Sequence, residues 1–268
     1  MSSISQDEPA LRARNAELEQ RASDAARQLE ATARELEAFS ASLSHDLRAP
    51  LRSIEGFSRL LLEPPYAGQL DATGNDYLQR VHRASLKLTQ MMEDLLQLTR
   101  LARAGIKAER VDLSAMAREI LAGLQAAAPA RRAEIAVEPG IEVSGDARLL
   151  RLALESLLGN AWKYTGKNEV AKISLSRTAD DGVAAVCVRD NGAGFEQKYA
   201  GKLFHAFQRL HSEAEFKGAG IGLAKVQRVM HAHGGRIWAR AERGAGATFY
   251  FTLPGMAAAA AKETSLEQ

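Results

Sequence analysis

From about residue 10 to residue 61 the sequence carries one continuous helical pattern, and this feature limits the possible folds more than any other. Residues 10 to 40 are rich in Ala, Glu, Arg and Leu and contain neither Gly nor Pro. Leu11 and Leu18 stand one heptad apart, as do Leu29, Leu36 and Leu43. The step from Leu18 to Leu29 is a heptad plus a four-residue stutter, a spacing that locally unwinds a coiled coil. At about 100° per residue, Leu36, Leu43, Leu47, Pro50 and Ile54 fall on one side of the helix, and His45 falls roughly opposite. Pro50 removes a backbone donor and crowds the preceding turn, so a kink is expected just after His45. The pattern runs on through Phe57 and Leu61 until Glu63-Pro64-Pro65-Tyr66-Ala67-Gly68 stops it.

An apolar seam of this length needs a partner. Residues 1–38 therefore read as a parallel coiled coil. A second helix is predicted to start near Thr73 to Asn75, with Leu78, Val81, Ser85, Leu88, Met92, Leu95 and Thr99 at alternating steps of three and four. Two helices with one apolar face each cannot bury both faces alone, whereas a homodimer makes a four-helix bundle that can. Residues 39–104 form this hairpin, with Met91 and Met92 as core filler, His82 and Arg83 off the seam facing solvent, and Gly105 as a break in the linker that follows.

Composition excludes several classes of function. The chain has 268 residues, enough for about two domains, and a net charge of +2 from 35 basic and 33 acidic residues. That balance predicts no general affinity for nucleic acid or anionic membrane. One cysteine, Cys187, rules out an intrachain disulfide framework, and its setting in Val183 to Val188 reads as a buried strand. No apolar run reaches the roughly 18 residues of a membrane span, and the amino terminus lacks the shape of a signal peptide. The expected location is cytoplasmic.

Downstream the periodicity alternates. Val111 to Leu113 reads as a short strand, and Ser114 as the cap of a helix to about Ala128. Ile135 to Val137 and Ile141 to Val143 are short strands, and Gly145-Asp146 opens a helix to Thr165. Val170 to Arg177 and Val183 to Arg189 are strands, followed by roughly 25 residues of irregular chain. A helix from about Ala219 to His233 ends on Gly234-Gly235, and Arg236 to Ala241 pairs with Ala247 to Leu253 across the Arg243 to Gly246 turn. Strands and helices interleaved this way predict a two-layer α/β sandwich over residues 109–255. The tail, residues 256–268, carries no signal beyond an alanine run.

Three stretches of this half have the chemistry of a nucleotide site. Asp190-Asn191-Gly192-Ala193-Gly194 leaves a strand and precedes the long irregular segment. Gly218-Ala219-Gly220-Ile221-Gly222-Leu223 then opens a helix, where glycines let backbone amides approach phosphate oxygens and the helix N-terminus favours negative charge. It does not follow a strand, as a dinucleotide fingerprint must. In Glu155 to Thr165, the residues Glu155, Asn160 and Lys163 are read as clustering on one side, with oxygen donors suited to Mg²⁺ and a lysine complementing phosphate. His231 and His233, two apart at a helix end and far from any cysteine, do not read as a zinc site.

Ser44-His45-Asp46-Leu47-Arg48-Ala49-Pro50-Leu51 resembles the phospho-acceptor box of sensor histidine kinases, and the three later stretches, in that order, resemble their ATP-binding boxes. Phe204-His205-Ala206-Phe207-Gln208-Arg209-Leu210 resembles the phenylalanine box of the same branch. The wording around Asn160 and Phe204 is nearest to phytochrome-like kinases. The resemblance covers about residues 39 to 254. It implies that His45 accepts the phosphoryl group and that Asp46 hydrogen-bonds the ring. It also implies Asn160 as a Mg²⁺ ligand with Glu155 beside it, Lys163 as a phosphate contact, and Asp190 as the carboxylate reading the adenine amino group. Tyr164, Gly192, Gly194, Gly218, Gly220, Gly222 and Leu223 complete the nucleotide cradle. ATP and Mg²⁺ are the implied cofactors. The implied partners are a second copy of the chain, a response-regulator receiver domain and an upstream sensor domain, which this chain lacks.

Two positions depart from the family's pattern. Ser156 stands where Asn is frequent, four residues before Asn160, and Ala49 stands where kinases that also dephosphorylate their partner carry Thr or Asn. Two rival classes are a non-catalytic phosphotransfer scaffold, which would have a degraded nucleotide site, and a mechanical ATPase, which would lack the acceptor histidine.

Overall fold

The computed structural model describes residues 7–101, 106–208, 210–211, 215–216 and 220–254. The chain forms two units, residues 1–100 and 101–268.

The first unit is helical. Helix α1 runs from Asp7 to Leu62, 56 residues with Pro50 inside, and α2 from Ala72 to Leu101. A helix of that size extends about 80 Å. The side chain of Asp71 accepts a 2.6 Å bond from the Gly74 amide, which places the start of α2 slightly earlier than the sequence suggested. The buried line of α1 is Ser40, Ser44, Leu51 and Ser58, all within about 20° of one direction around the helix. Leucines flank this line and remain exposed: Leu43 at 44%, Leu47 at 48% and Ile54 at 44%. On α2 the matching line is Ser85 and Met92, with Val81 and Leu88 exposed beside it. Leu11, Leu29, Leu36, Leu95 and Thr99, also assigned to the seam, have side chains outside the described set, as does Gly105.

His82 departs from expectation. It is half-buried rather than solvent-facing, and its Nδ1 lies 3.0 Å from the Ser58 hydroxyl. That hydroxyl also lies 3.0 Å from the Glu55 carbonyl, which can only accept. Ser58 therefore donates to Glu55, and Nδ1–H of His82 donates to Ser58. The bond ties α1 to α2 through two polar side chains, which a seam counted on apolar residues cannot register.

The second unit is an α/β sandwich. A two-stranded sheet pairs β1 (Glu109–Asp112) with β3 (Glu142–Gly145), antiparallel. The main sheet has order β2-β4-β5-β7-β6, built from β2 (Ala133–Val137), β4 (Ala171–Asp180), β5 (Val183–Asp190), β6 (Ile237–Glu242) and β7 (Gly246–Phe251). Only the β2–β4 pair is parallel. Helices α3 (Leu113–Ala127), α4 (Ala147–Tyr164) and α5 (Gly222–Ala232) share one core with the sheet, and the register shows which face they cover. Ile173, Leu175, Val186, Val188, Phe249 and Phe251 point into that core, while Ala185, Cys187 and Tyr250 alternate onto the opposite face with Trp238. Cys187 is buried, as its strand setting implied.

Local capping explains the entry to α3 and α4. Asp112, not Ser114, caps α3, accepting from the Ala115 amide at 2.9 Å. Ser114 is fully buried and spans the β2–β3 connection instead, donating to the Glu138 carbonyl and accepting from the Ile141 amide. Asp146 caps α4, accepting from the Arg148 and Leu149 amides. In the irregular segment after β5, a short 3-10 helix spans Gln197–Lys202. The Gln197 side chain donates to the Ala239 carbonyl and accepts from the Ala241 amide, each at 3.0 Å, so it pairs the open edge of β6 as a strand would.

Candidate functional site

In the helical unit, the candidate site is His45, on the face of α1 opposite Leu43, Leu47 and Ile54, with Asp46 beside it. Their side chains are 82% and 71% exposed, and His45 Nδ1 lies 3.2 Å from Asp46 Oδ1. An ionised carboxylate only accepts, so Nδ1 is the donor of this bond, and in the neutral ring the lone pair is then on Nε2. This tautomer is the one a nucleophilic imidazole needs. Ala49, one turn on, is exposed, and its carbonyl accepts from Ser53.

In the α/β unit, the site is built where β5 leaves the sheet beside the end of α4 and the start of α5. Asp190 ends β5, is buried, and receives the Gly192 amide at 2.8 Å. Burial pushes its carboxyl up to about 6, against the opposing pull of the Gly192 and Ala247 amides. The chain turns immediately: the Ala193 amide donates to the Tyr164 carbonyl at 3.2 Å. A Cβ on Gly192 would sit 2.7 Å from that carbonyl, so only glycine fits between β5 and α4. Gly194 has φ of +56°, and a Cβ there would lie 1.9 Å from the Glu242 carbonyl oxygen. Asn191 serves the frame. Its side chain accepts from the Lys172 amide and donates to the Val170 carbonyl, fixing the start of β4.

The second wall comes from α5. Gly222, its first residue, stands 3.7 Å (measured from the Cβ it lacks) from Ser156 Cβ and 4.0 Å from Asn160 Nδ2. The helix N-terminus thus opens beside the Asn160 amide. Gly220 has φ of +75°, and its carbonyl accepts from the Phe207 amide at 2.9 Å, while Leu223 packs half-buried on the core. The Lys163 ammonium lies 4.3 Å from the centroid of the Tyr164 ring. Gly218 lies outside the described residues.

One expected pairing fails. Glu155 and Asn160 are five residues apart on α4, hence about 140° around the helix axis. Glu155 is exposed, on the side where it raises the Arg151 guanidinium together with Glu119. The two do not converge on one ion, and Glu155 leaves the candidate ligand set. Among the described residues no group of three or more His, Cys, Asp or Glu side chains could hold a metal.

Residues the sequence reading left unassigned also line this region. His211 Nε2 lies 2.9 Å from the Gly194 carbonyl, and its ring meets Tyr164 and Phe216 at centroid distances of 5.4 and 5.3 Å. Gly246 has φ of +100°, and a Cβ there would lie 2.0 Å from the Asp190 carbonyl oxygen, so the β6–β7 turn also shapes the site. Its Gly-Ala-Gly wording was visible as a turn, but only strand pairing brings it to Asp190.

The fold is a helical hairpin carrying an exposed histidine, followed by an α/β sandwich with glycine turns beside a buried aspartate. Residues 35–104 match the family model described as His Kinase A (phospho-acceptor) domain. Residues 145–256 match that described as histidine kinase-, DNA gyrase B-, and HSP90-like ATPase. Cyanobacterial phytochrome A of Nostoc sp. is 31% identical over 194 residues, 72% of this chain and 25% of that protein. The adaptive-response sensory kinase SasA of Parasynechococcus marenigrum is 31% identical over 201 residues, 73% of this chain and 51% of that protein. Full-length ShkA, solved in complex with AMPPNP, aligns with a TM-score of 0.57 at 31% identity, covering 83% of this chain and 46% of that one. The chain spans about a quarter to a half of these relatives. It belongs to the histidine kinase family.

Proposed function

We propose that this chain is an ATP-dependent protein-histidine kinase that phosphorylates His45 and passes the group to an aspartate of a response-regulator receiver domain. The observation that carries the reading is the exposed His45, held by Asp46 in the tautomer that leaves Nε2 nucleophilic. In the first step, Nε2 attacks the γ-phosphorus of ATP, an N–P bond forms, the bond to the bridging oxygen breaks, and ADP leaves. In the second step, a receiver carboxylate takes the group and His45 returns to its starting form. Catalysis here is positioning and charge stabilisation. Asp190 accepts from the adenine amino group, the amides around Gly220 and Gly222 with Lys163 meet the phosphates, and Tyr164 flanks the base.

For Mg²⁺, the donor set offers the Asn160 amide oxygen, with the Ser156 hydroxyl one turn earlier on the same face. A hard cation that keeps most of its water and arrives on phosphate oxygens fits one such donor. Bound there, it would neutralise phosphate charge. The exposed Leu43, Leu47, Ile54, Val81 and Leu88 support a homodimer, since a second copy would cover them. Ala49 offers no polar side-chain atom to orient a water toward an aspartyl phosphate, which supports weak phosphatase activity.

Incubation with γ-labelled ATP is the test. Acid-labile, base-stable label on the chain, absent from His45→Gln, is expected. Label undiminished in His45→Gln overturns the assignment, and ATP turnover without protein label favours a mechanical ATPase.

A further inference from the structure

His233 is a buried histidine that the chemistry above does not use, and both of its ring nitrogens are engaged. Nδ1 lies 2.8 Å from the Val229 carbonyl of its own helix, and Nε2 accepts from the Asp146 backbone amide at 2.9 Å. A carbonyl can only accept and an amide N–H only donate, so the ring is neutral with its proton on Nδ1. These two bonds join the end of α5 to the first residue before α4, across 87 positions of sequence.

The surroundings are built for this ring. Gly145 has no room for a side chain, because a Cβ would lie 2.9 Å from His233 Cδ2 and 2.8 Å from a Leu150 methyl. The Asp146 carboxylate is committed elsewhere, to the Arg148 and Leu149 amides, the Lys107 amide and the Arg148 guanidinium. Beyond His233 the chain turns through Gly234 at φ of +73°, and the Gly235 amide returns to the Met230 carbonyl.

The other ends of the same two helices carry the nucleotide residues. From His233 back to Gly222 is eleven residues, and from Asp146 to Ser156 ten, so both paths run about 15–17 Å along antiparallel helices. At one end stands the imidazole bridge, and at the other Gly222 meets Ser156 and Asn160. We infer that His233 is a positioning residue for the nucleotide site, fixing the axial register of α5 against α4 and so the placement of the Gly220–Gly222 turn beside Asn160. This rests on the nucleotide-site reading above. It predicts a specific fault: loss of the bridge displaces the phosphate end of the site and spares the adenine end, which Asp190 on β5 controls.

The experiment measures binding of ATP and of AMP to the full chain by calorimetry, after circular dichroism confirms folding. His233→Asn can still bond Val229 but is too short to reach the Asp146 amide. It should weaken ATP about tenfold, the scale of one buried hydrogen bond, and AMP less than twofold. His233→Gln places a carbonyl oxygen near the Nε2 position and should restore most of the ATP affinity. Gly145→Ala, which pushes the ring aside without changing its chemistry, should repeat the ATP-selective loss and carries the test if His233→Asn does not fold. Equal losses of ATP and AMP, or no loss of either, overturn the inference. Asp190→Asn separates the two readings: it should weaken both nucleotides, and if it weakens neither, the nucleotide-site reading itself fails.

Discussion

The two units bury different things. The α/β unit fills its interior with Leu113, Leu121, Leu150, Leu154, Leu157 and Leu158, all at most 1% exposed, and needs nothing further to close its core. The helical unit buries Ser40, Ser44 and Ser58 with Leu51 along α1 and leaves Leu43, Leu47 and Ile54 exposed. Apolar area left exposed is stabilisation not yet gained, at about 25 cal/mol per Å². The comparison teaches that one unit closes a core of its own while the other leaves an apolar face uncovered, and that the proposed phospho-acceptor, His45, sits on the second.

The largest expected effect separates the chemistry of the two. His45→Gln should abolish protein labelling while the affinity for ATP, measured by calorimetry, stays as it was, because the nucleotide residues belong to the other unit. A loss of ATP affinity in that variant would blur the division.

Next comes a pair of leucines that differ in setting. Leu157→Ala should cost about 2–5 kcal/mol in chemical denaturation, independent of protein concentration. Leu47→Asp should leave the α/β unit's transition unchanged and shift the chain toward monomer in sedimentation. A concentration-independent loss at Leu47 would show that the helical hairpin is complete without a partner.

Asp190 sharpens the contrast from within the α/β unit. Its carboxyl is raised from 3.8 to about 6, so between those values the folded chain holds a proton that the unfolded chain releases. Stability therefore falls as pH rises through that window, by up to about 3 kcal/mol for this one group. ATP binding runs the other way, strengthening as pH climbs through about 6 and the adenine amino group gains a charged acceptor. Asp190→Asn should flatten both profiles, raise the denaturation midpoint at neutral pH and weaken ATP. A site residue that destabilises the empty domain has no counterpart on the exposed face of α1.

The smallest effect concerns Ala49. Ala49→Thr should modestly accelerate release of phosphate from an aspartyl-phosphorylated cognate regulator in the presence of ADP. Rapid release by the unmodified chain would require a different group to orient the water.

The sequence by itself determined the long α1, the strand and helix order of the α/β unit, the exposure of His45 and the glycine turns at Gly192, Gly194 and Gly222. Each of these is written in local periodicity, capping residues or glycine spacing. It also contained the 140° separation of Glu155 and Asn160, which plain helix geometry gives and the apparent clustering missed. Only the tertiary structure decided that Ser58 and His82 bond across the hairpin, that Gly246 presses on the Asp190 backbone, and that His233 bridges to Asp146. Those contacts join residues 24 to 87 positions apart. No local pattern records them, because a hydrogen bond or a missing Cβ gains meaning only when packing supplies the atom on the other side.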